Sequence, residues 1–410
     1  MSLGVYWGKE RIGELELTDQ FSREYRFRYL ASNRAISLSL PVQAEPFTPA
    51  QSRPFFDALL PEGTVREQIA ASLKLASSDS YGLLAALGRD CAGALQIVEA
   101  THPSQAPDCR WLDQRQLDEL IRDLPRRPLG VTPGDERRRL SLAGVQRKAV
   151  LVRDLQGRFG EPLNGIASTH ILKPQPADDE FPDLAINEYF CMRLAARCGL
   201  PVAAVELIEA DSRPCLVVAR YDRDLTQTPA RRLHQEDLCQ ALGLTTAFKY
   251  QQPDWSMPSF AALATLLDRH SIRPGADRLA AAESAIFSFL VGNADAHAKN
   301  ISLLHVEGGV RLAPMYDVMS TAVYPQLNGD LALGIGDEFD PGKIGATQWT
   351  DLASDMGLND AAFEAERVRL GELVVAEANK LAEEARAAGW HRPTLDAIRR
   401  VIAARARQLH

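Results

Sequence analysis

The chain opens with two short alternating runs, Val5-Tyr6-Trp7 and Arg11–Leu15, on either side of Gly8-Lys9, and the pattern predicts a hairpin. Tyr25-Arg26-Phe27-Arg28-Tyr29 alternates aromatic with basic residues, as a half-buried strand does, and Ile36–Leu40 alternates too. Short helices are expected at Pro54–Leu60, Val65–Leu73 and Tyr81–Leu87. From about residue 101 to 139 the pattern gives way to Pro and Arg. There THPSQAPDCR reads as a loop and RRPLGVTPGDERRRL as an exposed connection, interrupted by one helix over Gln114–Asp123. An apolar strand, Ser168–Lys173, leads to a helix over Asp183–Cys198, with Asp183 as N-cap and Gly199-Leu200-Pro201 as its stop. Strands Val202–Ile208 and Pro214–Ala219 follow. Helices are then expected at Glu236–Leu242, Pro258–Leu267 and Ala276–Leu290, the last apolar nearly all round and so a core element. Ile301–Val306 and Val310–Pro314, joined by Glu307-Gly308-Gly309, predict a second hairpin. Two Ala/Glu/Arg-rich helices, Ala361–Ala388 and Thr394–Leu409, close the chain, their charges coating a solvated bundle.

A length of 410 residues suggests two to three domains. The charge balance of 46 basic against 54 acidic residues, net −8, argues against gripping nucleic acid by bulk charge. A local basic patch could still touch DNA where a partner supplies most of the grip. Arg26 and Arg28 read as one solvated strand face rather than a nucleic-acid stripe. The cysteines, at 91, 109, 191, 198, 215 and 239, include no C-x-x-C and no zinc spacing, which suggests a reducing cytoplasm and no structural metal. No apolar run approaches a membrane span, and the first residues lack the order of a signal peptide.

Candidate chemistry concentrates between Val291 and Ser320, where Asp295, Asn300 and Asp317 would be costly to bury without a task. Asp295 and Asn300 stand as D-x-x-x-x-N, the spacing of a protein-kinase catalytic loop, in which the Asp accepts the substrate hydroxyl proton and the Asn holds a metal ion. Helix-cap or turn chemistry is the bland alternative. The second hairpin would return Asp317 to Asn300, and the two make an oxygen-ligand site suited to Mg2+. The pattern points to phosphoryl transfer.

GNADAHAKN followed by LAPMYDV resembles the signature of the HipA family, serine/threonine kinases that act as toxins in bacterial type II toxin–antitoxin pairs. The resemblance extends over nearly the whole chain, through VYWGKERIGEL, ISLSLPV, FFDALLPEG and GRDCAGALQIV, then SLAGVQRKAVL, THILKP, NEYFCMRLA and ARYDR. It implies an α+β, protein-kinase-like two-lobe fold, with a small mixed antiparallel-sheet N-terminal part and a large all-helical C-terminal lobe. The domains would be an N-terminal HipA-type subdomain over 1–105, an exposed connection over 106–139, a small lobe over 140–222 and a helical large lobe over 223–410.

The resemblance also implies roles for single residues. Leu140–Leu151 would be the phosphate-binding loop, although Gly144 is its only glycine. Backbone N–H groups of Ala143, Gly144, Val145 and Gln146 would face phosphate oxygens, with charge from Arg147 and Lys148. Ser141 matches the serine that family members autophosphorylate; an ordinary turn serine is the other reading. Lys173, at the end of an apolar strand, must snorkel or meet an anion, in a kinase the α- and β-phosphates. Glu188 either pairs with that lysine or merely favours its helix dipole. Ala219, Arg220 and Tyr221 would form the hinge that holds adenine through backbone groups; family members can carry a glutamate at the place of Ala219, and Tyr221 packs on the purine or on the rim. His297 faces the phosphates or the acceptor, or is structural, and Tyr316 lines the nucleotide.

The function so implied is ATP- and Mg2+-dependent phosphorylation of a protein Ser or Thr, with growth arrest as the outcome. Aminoacyl-tRNA synthetases, glutamyl-tRNA synthetase foremost, are the family's type of target. The implied partners are a protein substrate and a helix-turn-helix, HipB-like antitoxin that meets operator DNA, with no membrane involved. A small-molecule kinase and an ATP-binding pseudokinase module are the alternatives; the presence of Lys173, Asp295, Asn300 and Asp317 counts against the second.

Overall fold

Alternation builds the first sheet. β1 (Ser2–Trp7) and β2 (Glu10–Leu17) pair as a hairpin, and β3 (Tyr25–Tyr29) joins β2 with Leu15 opposite Phe27. Their inward residues Val5, Ile12, Leu15 and Phe27 are fully buried. The outward arginines meet an acidic stripe across the strand pair: Arg26 bonds Glu16 at 2.9 Å, and Arg28 bonds Glu14. That stripe is thus neutralised internally. Helices α1 (Pro49–Asp57), α2 (Gly63–Ser72) and α3 (Ser80–Leu87) lead to β4 (Leu95–Glu99), which completes the order β3-β2-β1-β4. A capping box between Thr48 and Gln51 starts α1 and aims Phe55 and Phe56 into the core.

The computed structural model describes residues 2–30, 32–99, 106–129, 141–142, 146–177, 180–253 and 257–409. They form two compact units, Met1–Pro174 with Ile208–Ala247, and Gln175–Leu207 with Phe248–His410. The architecture is mixed α and β with antiparallel sheets.

Ile36–Leu40 is not a strand. Its backbone makes only an isolated bridge between Ser37 and Leu40. The Leu38 N–H donates to the Glu236 carboxylate at 3.0 Å, Ser37 Oγ donates to the same group, and Ser39 Oγ donates to the Gln240 carbonyl at 2.6 Å. Side-chain partners replace the ladder. Within the described part of the expected connection, the expected helix over Gln114–Asp123 is present and a short strand precedes it. β5 (Asp108–Trp111) adds an edge to a second sheet, and α4 (Gln114–Asp123), capped by Asp113, buries Leu117 and Ile121 against Leu151 and Leu172. That sheet continues through β6 (Ala149–Arg153), β7 (Phe159–Leu163) and β8 (His170–Pro174). The chain then passes through α5 (Leu184–Arg197), which belongs to the second unit, and returns along β9 (Val205–Ala210) and β10 (Arg213–Ala219). The sheet order is β5-β7-β6-β8-β10-β9. A two-residue ribbon of β11 (Arg223–Asp224) and β12 (Arg231–Arg232) follows, then β13 (Gln235–Asp237) and α6 (Leu238–Leu242).

The second unit is mainly helical: α5, α7 (Phe260–His270), α8 (Pro274–Val291), α9 (Ala346–Asp355), α10 (Asp360–Ala387) and α11 (Pro393–Ala406). It is not all-helical, because β14 (Ser302–Val306) and β15 (Gly309–Leu312) form the hairpin that Gly308 and Gly309, both at positive φ, turn. α8, α10 and α11 pack on one another, and α5 on α10, where Arg197 pairs with Glu377 and Glu384 at 2.7 Å. Asp183 stands at the N-cap of α5 but in the left-handed region, and its carboxylate accepts from Thr394 Oγ1 at 2.7 Å instead of capping. Among the described residues no helix is long and apolar enough to cross a membrane, and the six cysteines are free thiols.

Candidate functional site

α8 delivers the loop that carries the chemistry. From Ala281 to Val291 its apolar residues are buried, and it ends at Gly292, φ +70°. A Cβ there would lie 2.7 Å from Ala322 and 2.9 Å from Val401, so both backbone and space require glycine. The loop that follows is pinned by its own polar groups. Asn293 Oδ1 accepts the Asp295 N–H at 3.1 Å, and the Asp295 carbonyl accepts both the His297 N–H and Asn300 Nδ2 at 2.8 Å. Thr321 Oγ1 accepts the Ala294 N–H at 2.8 Å and donates to the Gly292 carbonyl at 3.0 Å. Asp295 and Asn300 are thereby fixed on one short loop.

The hairpin brings the chain back. The Ala313 N–H donates to the Ser302 carbonyl at 2.8 Å, and Tyr316 Oη donates to the Lys299 carbonyl at 2.6 Å while lying 2.7 Å from Ser302 Oγ. Tyr316 therefore lies against Lys299 and Ser302, and Asp317, next in the chain, is near enough to His297 to act on its ring electrostatically. Asp317 is held at φ +57°, a sparsely populated region for a residue with a side chain. The segment after it is clamped to α5, where the fully buried Asn187 donates Nδ2 to the Ser320 carbonyl at 2.9 Å and accepts the Ser320 N–H at 2.8 Å. Asn300 spends its amide nitrogen on Asp295; its carbonyl oxygen and the Asp317 carboxylate are oxygen donors of the kind a hard divalent cation takes.

His297 is 7% exposed, and its Nδ1 has no hydrogen-bond partner among the described residues. Burial holds its pKa below the ordinary value; Asp295 and Asp317 pull it upward and Lys249 pushes it down. A neutral ring at neutral pH follows. Tyr250 Oη donates to Asp295 Oδ1 at 2.8 Å, and its ring meets the His297 ring edge to face at 5.2 Å.

The first unit gathers cations. β6 and β8 pair with Ala149 opposite Leu172, and continuing that register by one residue sets Lys148 opposite Lys173. Both lysines are buried, on the sheet face opposite Leu151 and Leu172. Gln146 Nε2, two residues before Lys148, is buried without a hydrogen-bond partner among the described residues. Two buried ammonium groups and an unspent amide donor suit an anion with several oxygens. Arg147 is exposed; Ala143, Gly144 and Val145 lie outside the described residues. Ser141 is buried, its Oγ donating to the Leu59 carbonyl at 2.7 Å and its N–H to the Asp90 carbonyl at 2.9 Å. Glu188 is fully buried on α5 of the second unit.

The expected hinge residues make their hydrogen bonds within the first unit. Arg220 is 3% exposed, its guanidinium bonded to Asp222, Ser168 Oγ and the Cys91 carbonyl, and its N–H to the Thr169 carbonyl at 2.9 Å. Both of these Arg220 donors are spent inside the first unit. Tyr221 Oη donates to Gln235 Oε1, and Ala219 pairs with His170. Sequence reasoning missed Asn187, Tyr250 and Asp90. Asn187 left one signal, an amide beside the apolar face Ile186, Phe190, Leu194.

The family model described as the HipA N-terminal domain matches residues 3–98, and that described as the HipA-like C-terminal domain matches residues 140–385. The putative kinase Y4mE of Sinorhizobium fredii is 41% identical over 87% of this chain and 86% of its own length. The serine/threonine-protein kinase toxin HipA of Shewanella oneidensis is 31% identical over 87% of this chain and 84% of its own. A chain of the solved complex of HipA, HipB and operator DNA from the Shewanella oneidensis toxin–antitoxin system superposes with a TM-score of 0.82 at 28% identity, covering 99% of this chain and 95% of that one. From both family models, in order along one chain, it follows that this protein belongs to the HipA family.

Proposed function

We propose that the protein is an ATP- and Mg2+-dependent serine/threonine protein kinase with a kinase-like two-lobe fold, acting as the toxin of a toxin–antitoxin pair. The observation that carries the reading is the pinned loop on which Asp295 and Asn300 stand, with Asp317 following the Tyr316 that bonds back to that loop. Asp295 accepts the proton of the acceptor hydroxyl as that oxygen bonds the γ-phosphorus. Asn300 Oδ1 and the Asp317 carboxylate would hold Mg2+, which would offset the charge of the phosphates. Within the first unit, Lys148, Lys173 and Gln146 are the groups suited to phosphate oxygens. Such sites work through positioning and electrostatics, because the phosphoryl group needs little covalent help.

Autophosphorylation at Ser141 belongs to the same reading. A phosphoserine carries about −1.5 to −2 charge and only acceptor oxygens at its phosphate. It cannot return to a berth where the hydroxyl donates to a carbonyl. The modified segment would stay out and silence the enzyme. Arg137, Arg138 and Arg139, the expected phosphate partners, lie outside the described residues. Mass spectrometry after incubation with Mg-ATP tests this, and a Ser141-modified chain with full activity would contradict it. The partner proposed is a HipB-like helix-turn-helix antitoxin that supplies most of the hold on operator DNA; the substrate class proposed is a cellular protein such as an aminoacyl-tRNA synthetase. The test of the central reading is transfer of label from γ-labelled ATP to protein. Asp295→Asn should lower it by roughly 10²–10⁴, and unchanged transfer would overturn the assignment.

A further inference from the structure

Tyr250 lies outside the motifs from which the function was read, yet it touches the group at their centre. Its hydroxyl donates to Asp295 Oδ1 at 2.8 Å. The backbone on either side is anchored. The Lys249 carbonyl accepts the Ala298 N–H at 3.0 Å, and the Gln251 N–H donates to the Ala332 carbonyl at 2.9 Å. The Ala332 N–H in turn donates to the Ala294 carbonyl at 3.1 Å, and Gln251 Oε1 accepts the Gly334 N–H at 3.0 Å. The Tyr250 ring stands on His297, with the Lys249 ammonium 5.4 Å from the ring centre. Scaffold contacts on both sides therefore aim the hydroxyl. Asp295 itself is exposed. The terminal torsion of an aspartate is broad, so an exposed carboxylate turns freely unless a donor stops it.

Resting on the kinase reading, we propose that Tyr250 is a positioning residue, holding Asp295 Oδ1 so that Oδ2 faces the acceptor hydroxyl. In the transfer step the acceptor oxygen bonds the γ-phosphorus, and the bond from that phosphorus to the β,γ-bridging oxygen breaks, its electron pair leaving with ADP. The acceptor proton passes to Oδ2. Tyr250 keeps its own proton and stays bonded to Oδ1 throughout. Without the hydroxyl the carboxylate samples orientations that miss the acceptor, which lowers turnover and leaves nucleotide binding alone.

The experiment uses the full chain with Mg2+ and γ-labelled ATP, reading label on the chain itself and on protein of a dephosphorylated bacterial extract. Tyr250→Phe keeps the ring on His297 and removes only the hydroxyl. It should lower kcat about 10-fold with the KM for ATP and the melting temperature unchanged. In an Asp295→Asn background the same change should do nothing further, because the hydroxyl acts only through that carboxylate. Wild-type or faster turnover in Tyr250→Phe overturns the proposal, the second outcome marking the hydroxyl as an obstruction in the acceptor's place. A further loss in the Asp295→Asn background overturns it as well, in favour of a structural role. Wild-type transfer by Asp295→Asn alone would instead bring down the kinase reading itself.

Discussion

Asp222 is 4% exposed and meets two guanidiniums, Arg220 at 2.7 Å and Arg223 at 2.8 Å, while also accepting the Gly93 N–H. Burial raises its pKa, but the two arginines outweigh that and hold the carboxyl well below the usual range. Burial lowers Arg223 to about 10. Asp90 closes the cluster, with Arg223 at 3.1 Å and Arg232 at 2.7 Å. Asp222→Ala should destabilise the protein by ~3–5 kcal/mol, since it strands buried guanidiniums. The denaturant midpoint measures it, and a loss under about 1 kcal/mol would contradict the network. Residues of this kind mark the limit of sequence reading. Asp295 and Asn300 were legible because the loop that uses them is local. Asp90 and Arg223 are 133 positions apart and Tyr250 and Asp295 are 45 apart, so no spacing announces either pair. Arg220 shows the same limit: besides Asp222, its side-chain partners Ser168 and Cys91 lie 52 and 129 positions away.

Among elements, α5, α8, α10 and the β14–β15 hairpin were legible because a long apolar periodicity or a Gly-Gly turn survives any tertiary context. β5 was not, since its side chains are mostly exposed and carry no alternation, and Ile36–Leu40 alternates without pairing because Glu236 takes the donors. Two predictions belong at this scale. Gly292→Ala should cost ~1–2 kcal/mol for the left-handed backbone alone, more with the contact on Ala322, and should lower phosphoryl transfer by displacing Asn293 to Asp295. Normal stability with normal transfer would contradict it. The second concerns Glu283 on α8 and Glu366 on α10. Burial, then the Glu366 carboxylate, push Glu283 up to about 7, while Arg369 holds Glu366 low. The folded state keeps a proton on Glu283 that the unfolded chain releases. Its contribution is therefore complete below the usual value near 4.5 and is lost as pH rises through about 7. The opposite shift of Glu366 acts only at lower pH. For a half-exposed pair the effect screens down to ~1 kcal/mol. Glu283→Gln should flatten the fall in melting temperature between about pH 5 and 8, and an unchanged slope would remove the shared proton.

The whole molecule is threaded in a way the sequence did not suggest. The N-terminal family domain ends at residue 98, yet the first compact unit takes in the chain to Pro174 and again Ile208–Ala247. Ser37 bonds Glu236, His234 lies 2.8 Å from the Ile36 carbonyl, and Asp90 draws its arginines from residues 220–232. A fragment ending at residue 139 loses every one of those partners and should fail to give a cooperative unfolding transition; a sharp transition near that of the full chain would show that the first sheet stands alone. The central claim concerns chemistry, and label transfer from γ-labelled ATP by the wild-type chain beside Asp295→Asn, in Mg2+ and in chelator, tests it most directly. The account predicts Mg2+-dependent label on Ser or Thr, reduced roughly 10²–10⁴-fold in the variant. Equal labelling by both chains, or labelling indifferent to chelation, would contradict it.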